Sequence, residues 1–171
     1  MTVSRTGHRG TPISWLDSMT TSLLVISDRE PLARLLRTSS FAIPAARAES
    51  APRPGTTLLL YTTRGCYRNP GRDRSLVMGM AQVTSHPRRL RGPVTFRGHE
   101  YVIGLDLGLQ GVCRVHEGVQ LGRLQGRLEL LPPEGLWSYP LRSSVVPLSD
   151  PDATLIREPL VSLLRPVSEV L

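Results

Sequence analysis

Leu58-Leu59-Leu60-Tyr61-Thr62-Thr63-Arg64-Gly65-Cys66-Tyr67-Arg68-Asn69-Pro70-Gly71-Arg72-Asp73-Arg74 is the stretch that decides how this chain folds. The three leucines are a short, wholly apolar strand signal introduced by the Pro54-Gly55 turn, and Tyr61-Thr62-Thr63 stand where such a strand leaves a core. From Arg64 to Arg74 the chain carries four arginines, one aspartate, two glycines and a proline. That is too polar and too broken for a helix or strand, so an exposed loop is predicted. Leu76 to Val83 resumes the apolar pattern as a second strand.

Outward from this pair, Ser22 to Ser27 has the composition of a buried first strand. Asp28 then stands as an N-cap before Arg29-Glu30-Pro31, and Leu32, Leu35 and Leu36 give the following short helix one apolar face, ending near Thr38. Phe41-Ala42-Ile43 should return to the sheet, and Ala45 to Pro54 reads as a loop or weak helical turn. On the far side, His86 to Gly92 reads as a basic loop and Val94 to Ile103 as a hairpin turned at Arg97-Gly98. Leu105 to Val115 continues as strand, with Gly104, Gly108 and Gly111 marking bends or bulges. Val119, Leu121, Leu124, Leu128 and Leu131 predict a helix stopped by Pro132-Pro133, though Gly122 and Gly126 weaken it. Val145 to Leu148 is a last strand, placed at an edge by Pro147. Asp150 as N-cap and Pro151 open a final helix, which Pro159 should kink. The order predicts a small α+β domain on a curved, mainly antiparallel sheet flanked by helices.

A length of 171 residues suits one domain able to bury a core without disulfides or metals. Met1 to Ser18 mixes Thr, Ser, Gly, Arg and one Trp15 without periodicity, and Met19 could serve as a second start. The first 21 residues are read as a disordered leader before a domain spanning 22–166. Two cysteines, Cys66 and Cys113, are too few for a disulfide framework and lack the spacing of a zinc or redox site. No metal and no cofactor are expected. Neither a membrane span nor a signal peptide is visible, so a cytoplasmic, monomeric protein is expected.

All 21 basic residues are arginine, and the formal net charge is +7. Codon bias toward arginine accounts for the absence of lysine. It does not account for placement: Arg64 to Arg97 holds eight arginines against Asp73 alone, so this segment carries +7 and the rest is close to neutral. Guanidinium forks match phosphate and stack on bases, which points to a polyanionic partner, nucleic acid ahead of an anionic membrane surface.

These features together resemble the EVE domains of the PUA-like group, relatives of the YTH readers of methylated RNA. The likeness rests on the first strand and its polar turn (Leu23 to Asp28), the Pro54-Gly55 entry with its Tyr-Thr-Thr, and the Gly-bearing strand Val77 to Val83. The Trp-containing segment before a closing strand and helix (Trp137 to Leu160) completes it. The resemblance implies a pseudo-barrel with flanking helices and a pocket that accepts one modified base without performing chemistry on it. Members of the group this chain resembles include bacterial readers of 5-methylcytosine or 5-hydroxymethylcytosine in DNA. Carried over by position, it places the pocket at Ser27 and Asp28, Phe41 and Ala42, and Tyr61, Thr62 and Thr63. Related domains often have tryptophan after the first helix, where this chain has Phe41, and the loop after Thr63 is longer and more basic than usual.

An extruded base must regain stacking and find partners for its Watson–Crick edge. Phe41, Tyr61 and Tyr67 are the stacking candidates, Ser27, Asp28, Thr62 and Thr63 the edge readers, and Ala42 or Cys66 an apolar notch for a methyl group. Phe41 and Tyr61 serve equally well as core residues, Asp28 as a simple cap, and Trp137 and Tyr139 as packing. Tyr67, between arginines in a polar loop, has no core role to explain it. Arg64, Arg68, Asn69, Arg72 and Arg74 are the candidates for the nucleic-acid backbone, with Arg88, Arg89 and Arg91 a second patch and Asp73 a partner for Arg72 or Arg74. Scattered His8, His86, His99 and His116 suggest no triad. Cys66 beside arginines could be a nucleophile but has no partner, so a buried or pocket thiol ranks higher. The expected function is a non-catalytic reader of modified DNA, nucleoid-associated and with 5-methylcytosine first. An RNA-binding module for a modified or unpaired base comes second, and a small enzyme acting on a nucleotide third.

Overall fold

The computed structural model describes residues 20–134 and 140–170. The first apolar run forms β1 (Thr21–Ile26), and the chain then turns through Asp28 into α1 (Arg29–Thr38). Asp28 caps that helix as predicted, its Oδ1 accepting from the Glu30 N–H at 3.1 Å. Leu32 and Leu35 bury the apolar face, and Ser39 ends the helix in the left-handed region at φ 48°. β2 (Ser40–Ile43) follows, then a 3-10 turn at Ala45–Arg47. β3 (Thr57–Thr62) and β4 (Leu76–Val83) bracket the arginine loop. The remaining elements are β5 (Arg88–Phe96), β6 (His99–Val112), β7 (Val119–Gln120), β8 (Val145–Leu148) and α2 (Asp150–Val161).

The sheet runs β2-β6-β4-β3-β1-β8, with β5 also beside β6 and β7 beside β4. Among the described pairings only β1 with β3 is parallel, which the crossover through α1 and β2 makes possible. The 14-residue β6 produces the curl. Its first half pairs with β2 and β5 and its second half with β4, and opposite Met80 and Ala81 it carries a bulge beside Gly111. The result is the predicted α+β architecture, a strongly curled, mainly antiparallel sheet with helices against it, consistent with a PUA-like pseudo-barrel. Leu23, Leu59, Leu60, Val77, Leu105, Ile156 and Leu160 fill its interior. Pro147 lies exposed in β8, the marginal strand, as its missing N–H requires.

Four expectations need correction. His86 to Gly92 is not all loop: β5 begins at Arg88 and pairs with β6, its bulge between Arg89 and Val94 absorbing Gly92 and Pro93. Val119 to Leu131 is not a helix but the two-residue β7, a 3-10 turn at Leu121–Leu124 and further turns. The buried Asp152 carboxylate holds those turns by accepting from the N–H groups of Glu129 (2.8 Å) and Leu130 (2.9 Å). The closing part of the described chain therefore has one α-helix, α2, rather than two. The N-cap of α2 is Ser149, whose hydroxyl accepts from the Asp152 N–H, with Asp150 inside the first turn. Of the 21-residue leader, residues 1–19 with Trp15 and Met19 lie outside the described residues, as do Trp137 and Tyr139, whereas Thr21 opens β1.

Candidate nucleic-acid interface

The β3–β4 loop is irregular yet held at nearly every step. Thr62 Oγ1 donates to the Leu76 carbonyl at 3.2 Å, closing the loop's base. The Thr63 N–H donates to the Ile26 carbonyl, tying the loop to β1, and Cys66 N–H and Arg68 N–H make successive turns back to Thr63 and Gly65. Farther along, Arg72 and Asp73 donate their N–H groups to the Asn69 carbonyl. Asp73 is the organiser. It is fully buried, and its Oδ2 accepts from the N–H groups of Tyr67 (3.2 Å) and Asn69 (3.0 Å). The expected ion pair with Arg72 or Arg74 is replaced by this backbone clamp; Arg74 Nη1 donates instead to the Asp73 backbone carbonyl at 3.0 Å. Buried side, the loop places Cys66 in the core; outward, it exposes Arg64, Arg68, Asn69, Arg72 and Arg74.

Asp28 ties this loop to two other elements. Its Oδ2 accepts from Arg68 Nη2 at 3.0 Å and from Arg97 Nε at 2.7 Å, while Oδ1 caps α1. The Asp28 side chain is 5% exposed, against 49% for Arg68 and 58% for Arg97, so both guanidiniums keep donors free toward solvent. Burial alone would raise the Asp28 pKa; the Glu30 N–H, Arg68 and Arg97 outweigh it and hold the carboxyl at about 2. Both arginines sit in the left-handed region, at φ 57° for Arg68 and 49° for Arg97, which is costly for a side chain of this kind. The sequence marks Arg97 as a turn residue and as one arginine of the basic Arg64–Arg97 segment, and nothing local signals its partnership with Asp28.

The residues assigned to a base pocket divide by depth. Phe41 and Ala42 lie in β2 opposite Leu105 and Gly104, and with Tyr61, Thr62 and Cys66 they are buried. Ser27 is exposed, and Thr63 and Tyr67 are half-buried. Tyr67 packs its ring on His116, centroids 5.3 Å apart, and burial, with the Asp73 carboxylate nearby, pushes its pKa to about 12. The structure thus gathers Asp28, Thr62, Thr63, Cys66, Tyr67 and Arg68 where β1 and β3 end, with Phe41 and Ala42 on another strand. Burial, with Asp28 and Asp73 nearby, pushes the Cys66 thiol up to about 12, which disfavours its thiolate form. Of the second patch, Arg88 is engaged in a two-bond fork on Asp106 (2.7 and 3.1 Å), whereas Arg89 and Arg91 are exposed on β5.

Two cavities flank this end of the molecule. One, of about 350 Å³, is lined by Arg64, Arg74, Ser75, Gln120 and Gly122. The other, of about 420 Å³, lies between α1 and β5 and is lined by residues that include Arg29, Arg34, Arg37 and Phe96.

No family model matches the chain, and neither does any curated protein sequence. Among solved structures, the chain is similar to the Mmi1 YTH domain in complex with RNA, at 11% identity and a TM-score of 0.47 over 85% of this chain and 82% of that one. It is similar to the YTH domain of the Zygosaccharomyces rouxii MRB1 protein in complex with N6-methyladenosine RNA, at 16% identity and a TM-score of 0.42 over 64% and 66%. It is also similar to Rpa0253 from Rhodopseudomonas palustris, at 16% identity and a TM-score of 0.47 over 84% and 94%.

Proposed function

We propose that this chain is a non-catalytic module that binds single-stranded nucleic acid, RNA in the first place, and meets an unpaired or modified base at the rim where β1 and β3 end. One observation carries the reading: Arg64, Arg68, Arg72 and Arg74 are all exposed on a single loop whose backbone is fixed by a buried carboxylate. A loop already ordered loses little entropy when phosphates arrive, and guanidinium forks suit phosphate geometry. Asn69, exposed beside them, adds an amide of either polarity.

The same geometry shifts the expectation away from DNA carrying 5-methylcytosine. Ala42 and Cys66, the residues suited to a methyl notch, are buried, as are Phe41 and Tyr61. Ser27, Thr63 and Tyr67 are the members of the assigned pocket with surface to offer a base. The arginines stand on a loop rather than on a helix shaped for a major groove, which favours single strands, and sequence-specific recognition of splayed single-stranded bases is above all an RNA mode.

The test is a competition assay on matched single-stranded RNA, single-stranded DNA and duplex DNA, each plain and with methylated cytosine or adenine, repeated across salt. Affinity should fall with salt by about 0.7 log units per log unit for each phosphate neutralised. Replacing Arg64, Arg72 and Arg74 by alanine should weaken all single strands alike and flatten that slope. Salt-insensitive binding, or a preference for duplex DNA, would end this reading.

A further inference from the structure

The cavity between α1 and the β5–β6 hairpin lies outside every residue assigned above to a site. Its floor is the polar face of α1: Glu30, Ala33, Arg34 and Arg37 recur at helical spacing opposite the core-facing Leu32 and Leu35. Such a face ordinarily looks onto open solvent. Here the hairpin stands beside it, with Val94 and Phe96 lining the other side of an open cleft. Phe96 is braced by Tyr101, ring centroids 5.6 Å apart at 53°, and Tyr101 is the cross-strand partner of Val94. The cleft therefore opposes a cationic wall to an aromatic one.

Its positive charge is only partly compensated. Arg29, Arg34 and Arg37 against Glu30 give three positive charges and one negative, a net of +2. Among the described residues none of these arginines takes part in an ion pair. Arg34 goes further: its Nε is buried and has no hydrogen-bond partner. A donor without a partner inside the protein can still be met by an acceptor from outside it. Rotation about the outer torsions of the side chain would present Nε and Nη side-on to an oxyanion, the fork in which arginine holds phosphate.

The cleft also adjoins the arginine loop. Asp28 immediately precedes Arg29, and Arg97 immediately follows Phe96; Arg97 meets the loop's Arg68 on the Asp28 carboxylate. Two guanidiniums on one carboxylate leave that border net positive, so no negative barrier separates the two regions.

We infer that the α1–β5 cleft is a second subsite for the same single-stranded nucleic acid, phosphates lying on Arg34 and Arg37 and a base stacking on Phe96. The inference rests on the nucleic-acid reading of the arginine loop and extends its footprint. Flat apolar bases between regularly spaced anions fit a cleft with one aromatic and one guanidinium wall, in the way single-strand binders combine the two. An acidic peptide offers the charge without the rings.

The test uses the full chain and fluorescently labelled oligouridine of about 4 and about 12 nucleotides, within the span of known single-strand sites. Arg34→Ala with Arg37→Ala should leave the short oligomer's affinity unchanged. It should weaken the long one on the order of tenfold and lower its salt slope by about 1.4, two phosphates' worth. Phe96→Leu should weaken the long oligomer without changing the slope, and Arg34→Lys with Arg37→Lys, which keeps charge but loses the fork, should fall between. If the arginine pair binds both lengths like the parent while Arg64→Ala with Arg72→Ala weakens both, the subsite is wrong and the loop reading stands. If the parent chain binds neither oligomer, the loop reading itself fails. If oligoglutamate of equal charge displaces the long oligomer as well as unlabelled oligouridine does, the cleft reads charge alone and the stacking role is overturned.

Discussion

Arg97 donates to the Asp28 carboxylate across 69 positions of sequence, at 2.7 Å from Nε and 2.6 Å from Nη2. This contact explains an otherwise poor choice of turn residue. Arg97 and Gly98, at φ 49° and 77°, form the two-residue turn between β5 and β6, where both positions are left-handed and asparagine is the favoured first residue. Arginine costs roughly 1–2 kcal/mol there, and what it gains is a fixed hairpin tip against the start of α1.

Arg97→Asn and Asp28→Asn should therefore behave unequally. Asp28→Asn keeps a capping oxygen but frees two guanidiniums, and should cost about 1–2 kcal/mol. Arg97→Asn loses one ion pair while relieving the turn, so it should cost less, and the double variant should fall short of the sum. Urea unfolding of the four proteins measures the coupling.

Stability should depend on pH through Asp28 in a defined window. Its folded pKa of about 2 lies below the ordinary 3.8, so the unfolded chain takes up the proton first as pH falls. The contribution is complete above about pH 4–5 and disappears as pH drops through the folded value. The urea midpoints of the parent and Asp28→Asn should differ at neutral pH and converge near pH 2. A constant difference across the range would contradict the ion-pair geometry.

Asp73 should matter more to the loop than any arginine in it. Asp73→Ala leaves two inward N–H groups, those of Tyr67 and Asn69, without their acceptor, at about 1–3 kcal/mol for each such loss. Asp73→Asn retains one oxygen and should lose less. Amide hydrogen exchange at Tyr67 and Asn69 should accelerate in both, while β1 and β4 amides keep their protection.

Much of the architecture was legible because its signals are local. The leucines of β1 and β3, the Asp28 cap, the Arg97-Gly98 turn and Pro147 each announce their element within a few residues. The first part of β5, from Arg88 to Pro93, was hidden because it is mostly solvent-exposed and interrupted by Gly92-Pro93, so no period-2 burial marks it; pairing with β6 makes it a strand. The leucines from Leu121 to Leu131 mimic a helix because each turn delivers one to the core, yet Asp152, far along the chain, holds those turns open. At the interface, the loop and its arginines could be read directly. The Asp28–Arg97 pair and the cleft between α1 and β5 could not, because both depend on elements distant in sequence.

Both thiols should be silent in the folded protein. Burial raises Cys66 to about 12 and Cys113 to about 11, in each case with nearby carboxylates adding to it. A chromogenic disulfide reagent at pH 8 should report no free thiol under native conditions and both in guanidinium chloride. Rapid native labelling of Cys66 would show that the β3–β4 loop opens far more readily than its hydrogen bonds suggest.

The proline in β8 bears on what many copies do together. An outermost strand is ordinarily a template onto which another chain can zip, the first step toward fibres. Pro147 stands exposed in that strand and can donate no main-chain hydrogen there, so an incoming backbone would meet a broken ladder. A molecule whose surface is already rich in arginine thus has one less route to self-association when it is crowded.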